Sequence, residues 1–99
     1  MLIRIVRMTF RPEAVPAFLE NFEANKTSIR NFPGCQHLEL WQDHSEENIW
    51  VTYSYWESEE ELNKYRDSEL FKSVWGYTKP LFSEKPQAFS LKKMQEVKP

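Results

Sequence analysis

Apolar and polar positions alternate with a period of two in four segments of the chain, and each segment predicts a β-strand. The segments cover residues 2–10, 35–43, 49–56 and 87–94. Between the first two segments, apolar side chains recur at helical spacing and form one stripe, which predicts an amphipathic helix. The members of this stripe are Val15, Phe18, Leu19, Phe22 and Ile29. The chain is therefore expected to begin with a strand, a helix and a pair of strands.

Signals for the start and end of helices divide the rest of the chain. The turn sequence FPG at 32–34 ends the first helix. Ser58 followed by Glu61 forms a capping box, which predicts that a helix begins directly after the third strand. This helix is expected to extend to about Arg66. A second helical segment with one apolar side then begins after residues 67–68 and precedes the last strand.

The resulting order, β-α-β-β-α-β, is that of the ferredoxin-like split βαβ fold. In this α+β class, helices cover one face of a four-stranded antiparallel sheet and leave the other face bare. The first and third predicted strands nevertheless carry large apolar side chains on both faces. On the bare face they would form an apolar patch too large for a monomer in water, with Ile3, Ile5, Val51, Tyr53 and Tyr55 as members. We therefore expect a homodimer whose uncovered sheet faces pack together around a two-fold axis.

The length and charge of the chain limit the functions that it can have. Its 99 residues predict one domain spanning 1–99. A net charge of −2 with both signs interspersed predicts no binding to nucleic acid or to an anionic membrane surface. No apolar run approaches the length of a membrane span, and the first residues are too charged for a secretory signal. The single cysteine, Cys35, excludes an internal disulfide and is typical of a reducing cytoplasm.

Aromatic residues make up 15% of the chain, which is more ring volume than a small two-layer core absorbs. Some of these rings are therefore expected to line a cavity or an interface. Trp56 ends the third strand directly before the capped helix, where pocket walls often form, so it is either a plug in the core or the wall of a pocket. Tyr65 and Trp75 lie on the apolar sides of their helical segments, and packing and pocket lining are again the alternatives.

Two polar side chains within the predicted strands are further candidates. His37 could act as a general base near neutral pH, or it could be a structural or interface histidine. Arg7 could bind an anionic or phenolate oxygen, or it could pair with a carboxylate such as Glu39. The two histidines have no acidic or thiol companions at ligand spacing, so we expect no metal site.

Five segments of the chain carry a resemblance to a known family. They are RIVRMTFRPE, NFPGC, HLELWQD, YSYWESEEEL and SELFKSVW, and their order and spacing are similar to those of the antibiotic biosynthesis monooxygenase (ABM) domain family. The resemblance covers nearly the whole chain. It implies a dimeric α+β barrel, in which two ferredoxin-like protomers join through their sheets and each holds a pocket between sheet and helices. Members of this family include cofactor-independent oxygenases of polyketide aromatics, quinol oxygenases and haem-degrading enzymes.

Only some of the functional residues of the polyketide oxygenases have counterparts in this sequence. The tryptophan that the family places at the end of the third strand matches Trp56. The amide side chain that holds the substrate oxygen falls at about Thr52, which is a weaker donor. The tyrosine on the following helix falls at Leu62, and Tyr65 is its nearest substitute.

The haem-degrading branch of the family resembles this chain less. Its Asn-Trp-His set would fall near Val6, Tyr65 and Trp75, and none of the three is kept. The ring that should bind iron is an indole, which cannot coordinate it. Haem degradation is therefore not expected.

The resemblance implies a monooxygenase that needs no cofactor and acts with O2 on a phenolic, anthrone or quinol-like molecule. The expected catalytic residues are Trp56, Tyr65 and His37, and the expected substrate-binding residues are Thr52, Arg7 and Trp75. The alternative is a non-catalytic dimeric domain, for small-molecule binding or a stress response, that keeps the fold and has lost the oxygenase residues. The missing amide and displaced tyrosine favour this alternative, whereas Trp56 and the many rings favour a working pocket.

Overall fold

The computed structural model describes residues 1–99 and shows an α+β fold in which three helices cover one face of a four-stranded antiparallel sheet. The strands are β1 (Leu2–Thr9), β2 (Cys35–Gln42), β3 (Ile49–Trp56) and β4 (Gln87–Leu91). The helices are α1 (Val15–Arg30), α2 (Glu59–Arg66) and α3 (Glu69–Thr78), with short 3-10 turns at Pro12–Ala14 and Lys79–Leu81. The predicted order of elements is confirmed. No helix is both long enough and apolar enough to cross a membrane.

The strands lie in the order β2-β3-β1-β4, and every neighbouring pair is antiparallel. This topology confirms the predicted split βαβ arrangement. Three strand ends differ: β1 and β2 each end one residue before the predicted boundary, and β4 was expected to reach residue 94 but ends at Leu91. Leu91 pairs with Ile3, near the start of β1, so the residues after it have almost no partner strand left.

The alternation within the strands assigns each side chain to one face of the sheet. Met8, Thr52 and Trp56 lie on the face that the helices cover. Ile5 and Tyr53, which are paired partners in β1 and β3, lie on the open face. The predicted division of β3, with Thr52 and Trp56 opposite its tyrosines, is confirmed.

Two clusters of buried side chains form the core beneath the helices. The first contains Met8, Phe10 and Phe18, and the rings of Phe10 and Phe18 stack with their centroids 4.3 Å apart. The second contains Cys35, Trp56 and Leu62. The first cluster joins β1 to α1, and the second joins the ends of β2 and β3 to α2.

The turn before β2 and the caps of the helices hold α2 and α3 in place. Gly34 adopts a φ of 91°, and its carbonyl accepts a hydrogen bond from the backbone N–H of Glu57 at 2.8 Å. The Ser58 hydroxyl accepts from the N–H of Glu61 at 3.3 Å, which confirms one half of the predicted capping box. The Glu61 carboxylate lies 3.2 Å from the ammonium of Lys64.

Candidate functional site

A cavity lies between the helix-covered face of the sheet and the three helices. Its volume is about 310 Å³, which is within the range of about 300–1,000 Å³ found for small-molecule sites. It is lined by 18 residues, of which 13 are hydrophobic. All four strands and all three helices contribute side chains, so the cavity exists only in the complete tertiary fold.

Trp56 and Tyr65 form one wall of this cavity. Their rings stack with centroids 4.9 Å apart and planes inclined by 25°. Trp56 is only 1% exposed, and its indole N–H donates to the Ser54 hydroxyl at 3.0 Å. Because that N–H already has a partner within the chain and the side chain is almost fully buried, Trp56 contributes a packed ring to the wall rather than a hydrogen-bond donor.

Tyr65 is fixed by contacts on several sides. The rings of Phe32 and Phe71 make T-shaped contacts with its ring at centroid distances of 5.2 and 5.3 Å. The hydroxyl of Ser68 donates to the Tyr65 backbone carbonyl and also caps α3, so the residue is tied to the junction between the two helices. Burial, followed by the nearby Cys35 thiol, raises the pKa of the Tyr65 phenol to about 12. At neutral pH this phenol is uncharged and able to donate a hydrogen bond.

Thr52 and Trp75 also line the cavity. Thr52 lies in the middle of β3, paired with Val6 of β1, and is half-buried. Trp75 extends from α3 nearly parallel to the ring of Phe71, with planes inclined by 11°. The structure therefore brings together four of the six residues predicted for the site, namely Thr52, Trp56, Tyr65 and Trp75.

The remaining two predicted site residues, His37 and Arg7, lie on the open face of the sheet, away from the cavity. His37 contacts the ring of Tyr55 and shares a hydrogen bond with Glu39. The pleat of β1 and β2 directs both side chains to the other side of the sheet, so the structure does not bring them together with the four residues of the cavity. The Arg7–Glu39 pair considered from the sequence is not formed, since Glu39 accepts from His37 and from Trp41.

Two charged residues that sequence reasoning did not select also line the cavity, namely Arg4 and Arg66. Arg4 shares a face of β1 with Val6, so the alternation of the strand was the signal for it. Arg66 follows Leu62 by one helical turn, which places it above the same side of α2. These two arginines are the only charged side chains in the lining.

The structure offers little support for metal binding or thiol chemistry at this site. No group of three or more His, Cys, Asp or Glu side chains could hold a metal ion. Burial raises the pKa of the Cys35 thiol, so the nucleophilic thiolate is disfavoured at neutral pH. The polar chemistry of the cavity therefore rests on hydroxyl groups and guanidinium groups.

The fold and the cavity define a class of protein: a ferredoxin-like α+β domain with a pocket walled by aromatic rings between sheet and helices. Residues 1–74 match the family model described as antibiotic biosynthesis monooxygenase. Since this match covers well over half of the chain, the protein belongs to the antibiotic biosynthesis monooxygenase (ABM) family. The resemblance stated from the sequence is confirmed.

Solved structures with the same fold include proteins from distant organisms. A conserved protein from Methanosarcina mazei Go1 is 19% identical, with a TM-score of 0.88 over 95% of this chain and 94% of that chain. A protein from Mycobacterium tuberculosis is 21% identical, with a TM-score of 0.87 over 98% of each chain. A structure described as an antibiotic biosynthesis monooxygenase is 18% identical, with a TM-score of 0.90 over 96% of this chain and 100% of that chain. A search of curated proteins found no match. At these identities the structural neighbours show the fold alone.

Proposed function

We propose that this chain is a cofactor-independent oxygenase of the ABM type that acts with O2 on a phenolic, anthrone or quinol-like molecule. The observation that carries the proposal is the cavity of about 310 Å³, which combines apolar walls with the neutral phenol of Tyr65. Oxygenation of an electron-rich substrate needs such a site, poor in water and supplied with a hydrogen-bond donor for the substrate oxygen. In this proposal residues 1–99 act as one domain.

The substrate itself supplies the electrons in the proposed reaction. With an anthrone as substrate, the ring CH2 group is oxidised to a carbonyl, one atom of O2 enters the product, and the other leaves as water. Tyr65 donates a hydrogen bond to the substrate oxygen while negative charge develops on it, and Thr52 supplies a second hydroxyl. The ring faces of Trp56 and Trp75 hold the planar substrate and exclude water.

The open face of the sheet supports the second part of the proposal, a homodimer. Trp41, Phe89 and Leu91 are 59%, 48% and 49% exposed, and they lie on the same face as the smaller apolar side chains of β1 and β3. An apolar surface of this kind is stabilised when a second copy covers it. The proposed location is the cytoplasm, whose reducing conditions suit the free thiol of Cys35.

One observation favours the alternative of a non-catalytic binding domain. The lining of the cavity contains no histidine and no carboxylate, and the raised pKa of Tyr65 makes its phenolate scarce at neutral pH. A group that could remove a proton from the substrate near pH 7 is therefore missing from the cavity. A domain that only binds an aromatic molecule needs no such group.

Oxygen consumption with a panel of anthrones and quinols distinguishes the two functions. We expect the wild-type protein to consume O2 faster than the autoxidation of substrate in buffer. The Tyr65→Phe variant keeps the ring stacked on Trp56 and removes only the donor, so kcat/KM should fall about ten- to hundredfold. Trp56→Ala should lower it further because the wall is lost.

Tyr77→Phe is the matched control, since Tyr77 is half exposed on α3 and outside the cavity lining. It should consume O2 at the wild-type rate. If no member of the panel is oxidised above the buffer background, the oxygenase proposal fails and the binding domain is favoured. If Tyr65→Phe retains full activity, the role given to its hydroxyl is wrong.

A further inference from the structure

The charge of the cavity lining is unbalanced. Arg4 and Arg66 are its only charged residues, and both are cationic. No aspartate or glutamate lines the cavity. None of the ion pairs in the chain includes either arginine. Since a guanidinium keeps its charge at any pH that a protein tolerates, the cavity holds two positive charges without a protein anion beside them.

Arg4 is partly removed from water and has only a neutral partner. It lies in the middle of β1, half-buried, and its Nη1 donates to the Ser90 hydroxyl at 2.9 Å. Burial, and then the like charge of Arg66, lower the pKa of its guanidinium from the usual value. Both guanidinium groups line the same cavity, so their like charges disfavour each other there. An anion placed between them would relieve both the desolvation and the repulsion.

Arg66 approaches the same space from the helical layer. It is the last residue of α2, where the helix dipole favours a cation, and it is exposed to solvent. The dipole accounts for a positive charge at this end of α2. It does not account for a second arginine facing the same cavity from β1. An arginine from the sheet and another from a helix can hold a planar oxyanion from two sides, as guanidinium groups do with carboxylates.

The arginines lie at the same part of the cavity as the aromatic wall. Arg4 pairs in the sheet with Ser54, which accepts the indole N–H of Trp56. Arg66 directly follows Tyr65, whose ring is stacked on Trp56. A ligand with its ring against this wall would therefore have its polar end close to both guanidinium groups.

We infer that Arg4 and Arg66 form an oxyanion-binding end of the cavity, and that its ligand is an aromatic molecule carrying a carboxylate or a phenolate. The inference rests on the proposed function, because it names the class of molecule that the same cavity takes. The inference also explains why the cavity lining needs no side chain that acts as a general base. A substrate that arrives as a phenolate, stabilised by two cations, does not need a residue to remove its proton.

Calorimetric binding of two matched ligand pairs at neutral pH tests the inference. The carboxylate pair is naphthoate and naphthamide, and the phenolate pair is dinitronaphtholate and its methyl ether. In each pair the two ligands have similar rings and differ in charge. We expect the wild-type protein to bind at least one anion about tenfold or more tighter than its neutral partner. The pair with the larger ratio identifies the source of the oxyanion.

Three variants locate the effect. Arg4→Gln and Arg66→Gln each remove one positive charge and should reduce the preference for the anion severalfold, while the neutral ligand binds as before. Arg66 is exposed, so its variant is expected to fold even if Arg4→Gln does not. Lys72→Gln is the control, because Lys72 is exposed on α3, outside the cavity lining, and its replacement changes the net charge equally.

The outcomes separate this inference from the proposed function. Equal binding of anion and neutral partner by the wild-type protein would overturn the oxyanion site and leave the cavity as an aromatic-binding pocket. A loss of preference in Lys72→Gln as large as in Arg66→Gln would overturn it as well, since the effect would then come from net charge. If neither member of either pair binds, both the oxyanion site and the ligand-binding cavity are rejected.

Discussion

At the scale of single residues, Tyr65 links the packing of the core to the chemistry of the cavity. Its ring is stacked on Trp56 and makes a T-shaped contact with Phe71, so its position is determined by aromatic contacts. Burial of the same ring raises the pKa of its hydroxyl to about 12. The packing that fixes Tyr65 therefore also keeps it uncharged, which suits a donor to an oxyanion and excludes a base at neutral pH.

The raised pKa of Tyr65 predicts a loss of stability in alkali. The ordinary pKa of tyrosine is 10.0 and the folded value is about 12, so the unfolded chain releases the proton first as pH rises. Between these values the folded state binds more protons than the unfolded state, and the free energy of unfolding must decrease. We expect urea denaturation at pH 9 and at about pH 11.5 to show a smaller decrease for Tyr65→Phe than for the wild type.

Tyr77→Phe controls for the loss of one tyrosine, since Tyr77 is 50% exposed. This variant should lose as much stability in alkali as the wild type. Absorbance titration of tyrosinate gives a second measurement. In it, Tyr65→Phe should lack the component that ionises near pH 12 in the wild type. If Tyr65→Phe and Tyr77→Phe behave alike in both measurements, the pKa of Tyr65 is not raised above that of an exposed tyrosine.

At the scale of elements, the turn before β2 determines where α2 begins. Gly34 has a φ of 91°, in the left-handed region that side chains with a Cβ rarely adopt. It also lies against α2, because a Cβ built on Gly34 would be 2.5 Å from the Cβ of Glu61. The helix α2, which contains Tyr65 and Arg66, thus packs directly against this glycine.

Replacing Gly34 should therefore destabilise the protein in two ways, by straining the backbone and by forcing a new Cβ against Glu61. We expect Gly34→Ala to lower the free energy of unfolding by about 2 kcal/mol or more, as measured by urea denaturation. Gly76→Ala is the matched control, since nothing lies within 4 Å of a Cβ at that position of α3. That variant should gain about 0.5–1 kcal/mol because alanine favours the helix. Equal effects of the two substitutions would contradict this account of the turn.

The elements show how far the sequence could predict this structure. Local patterns predicted the strands, the glycine turn and the Ser58 cap, because periodicity and capping depend on near neighbours. The site was predicted less completely, because alternation tells which residues of one strand share a face but not which faces of different strands coincide. For this reason the sequence did not show that His37 lies on the side of the sheet opposite Thr52, and the pairing of β2 with β3 also contains a register shift between Cys35 and His37. Arg66 lines the cavity only because α2 packs over the sheet, and local sequence patterns do not predict how a helix packs.

At the scale of the whole molecule, the sheet has two apolar faces and helices for only one of them. The open face contains rows of paired side chains that run across the strands, such as Phe89, Ile5, Tyr53 and Glu39. The hydroxyls of Tyr53 and Tyr55 lie 3.1 Å apart in the middle of this face. Such a surface combines a broad apolar area with a few polar groups, which is typical of an interface between two copies of a chain.

A charge placed on this face should therefore prevent dimer formation. Phe89 is 48% exposed on β4, and Tyr77 is 50% exposed on α3, away from the open face. We expect size exclusion with light scattering to give twice the chain mass of 12.0 kDa for the wild type and for Tyr77→Lys. Phe89→Lys should give a monomer at micromolar concentration, because a lysine buried between two apolar sheets loses its hydration without gaining a partner.

The comparison between these two lysine variants isolates the role of the open face. Both substitutions remove a half-exposed ring and add one positive charge, so a general effect of charge or solubility would change both proteins equally. A monomeric wild type, or dissociation of both variants, would show that the open face is not the contact between copies. If only Phe89→Lys dissociates, its cavity can be tested with the same ligand pairs. Retained binding would show that each protomer holds a complete site, since the cavity and the open face lie on opposite sides of one sheet.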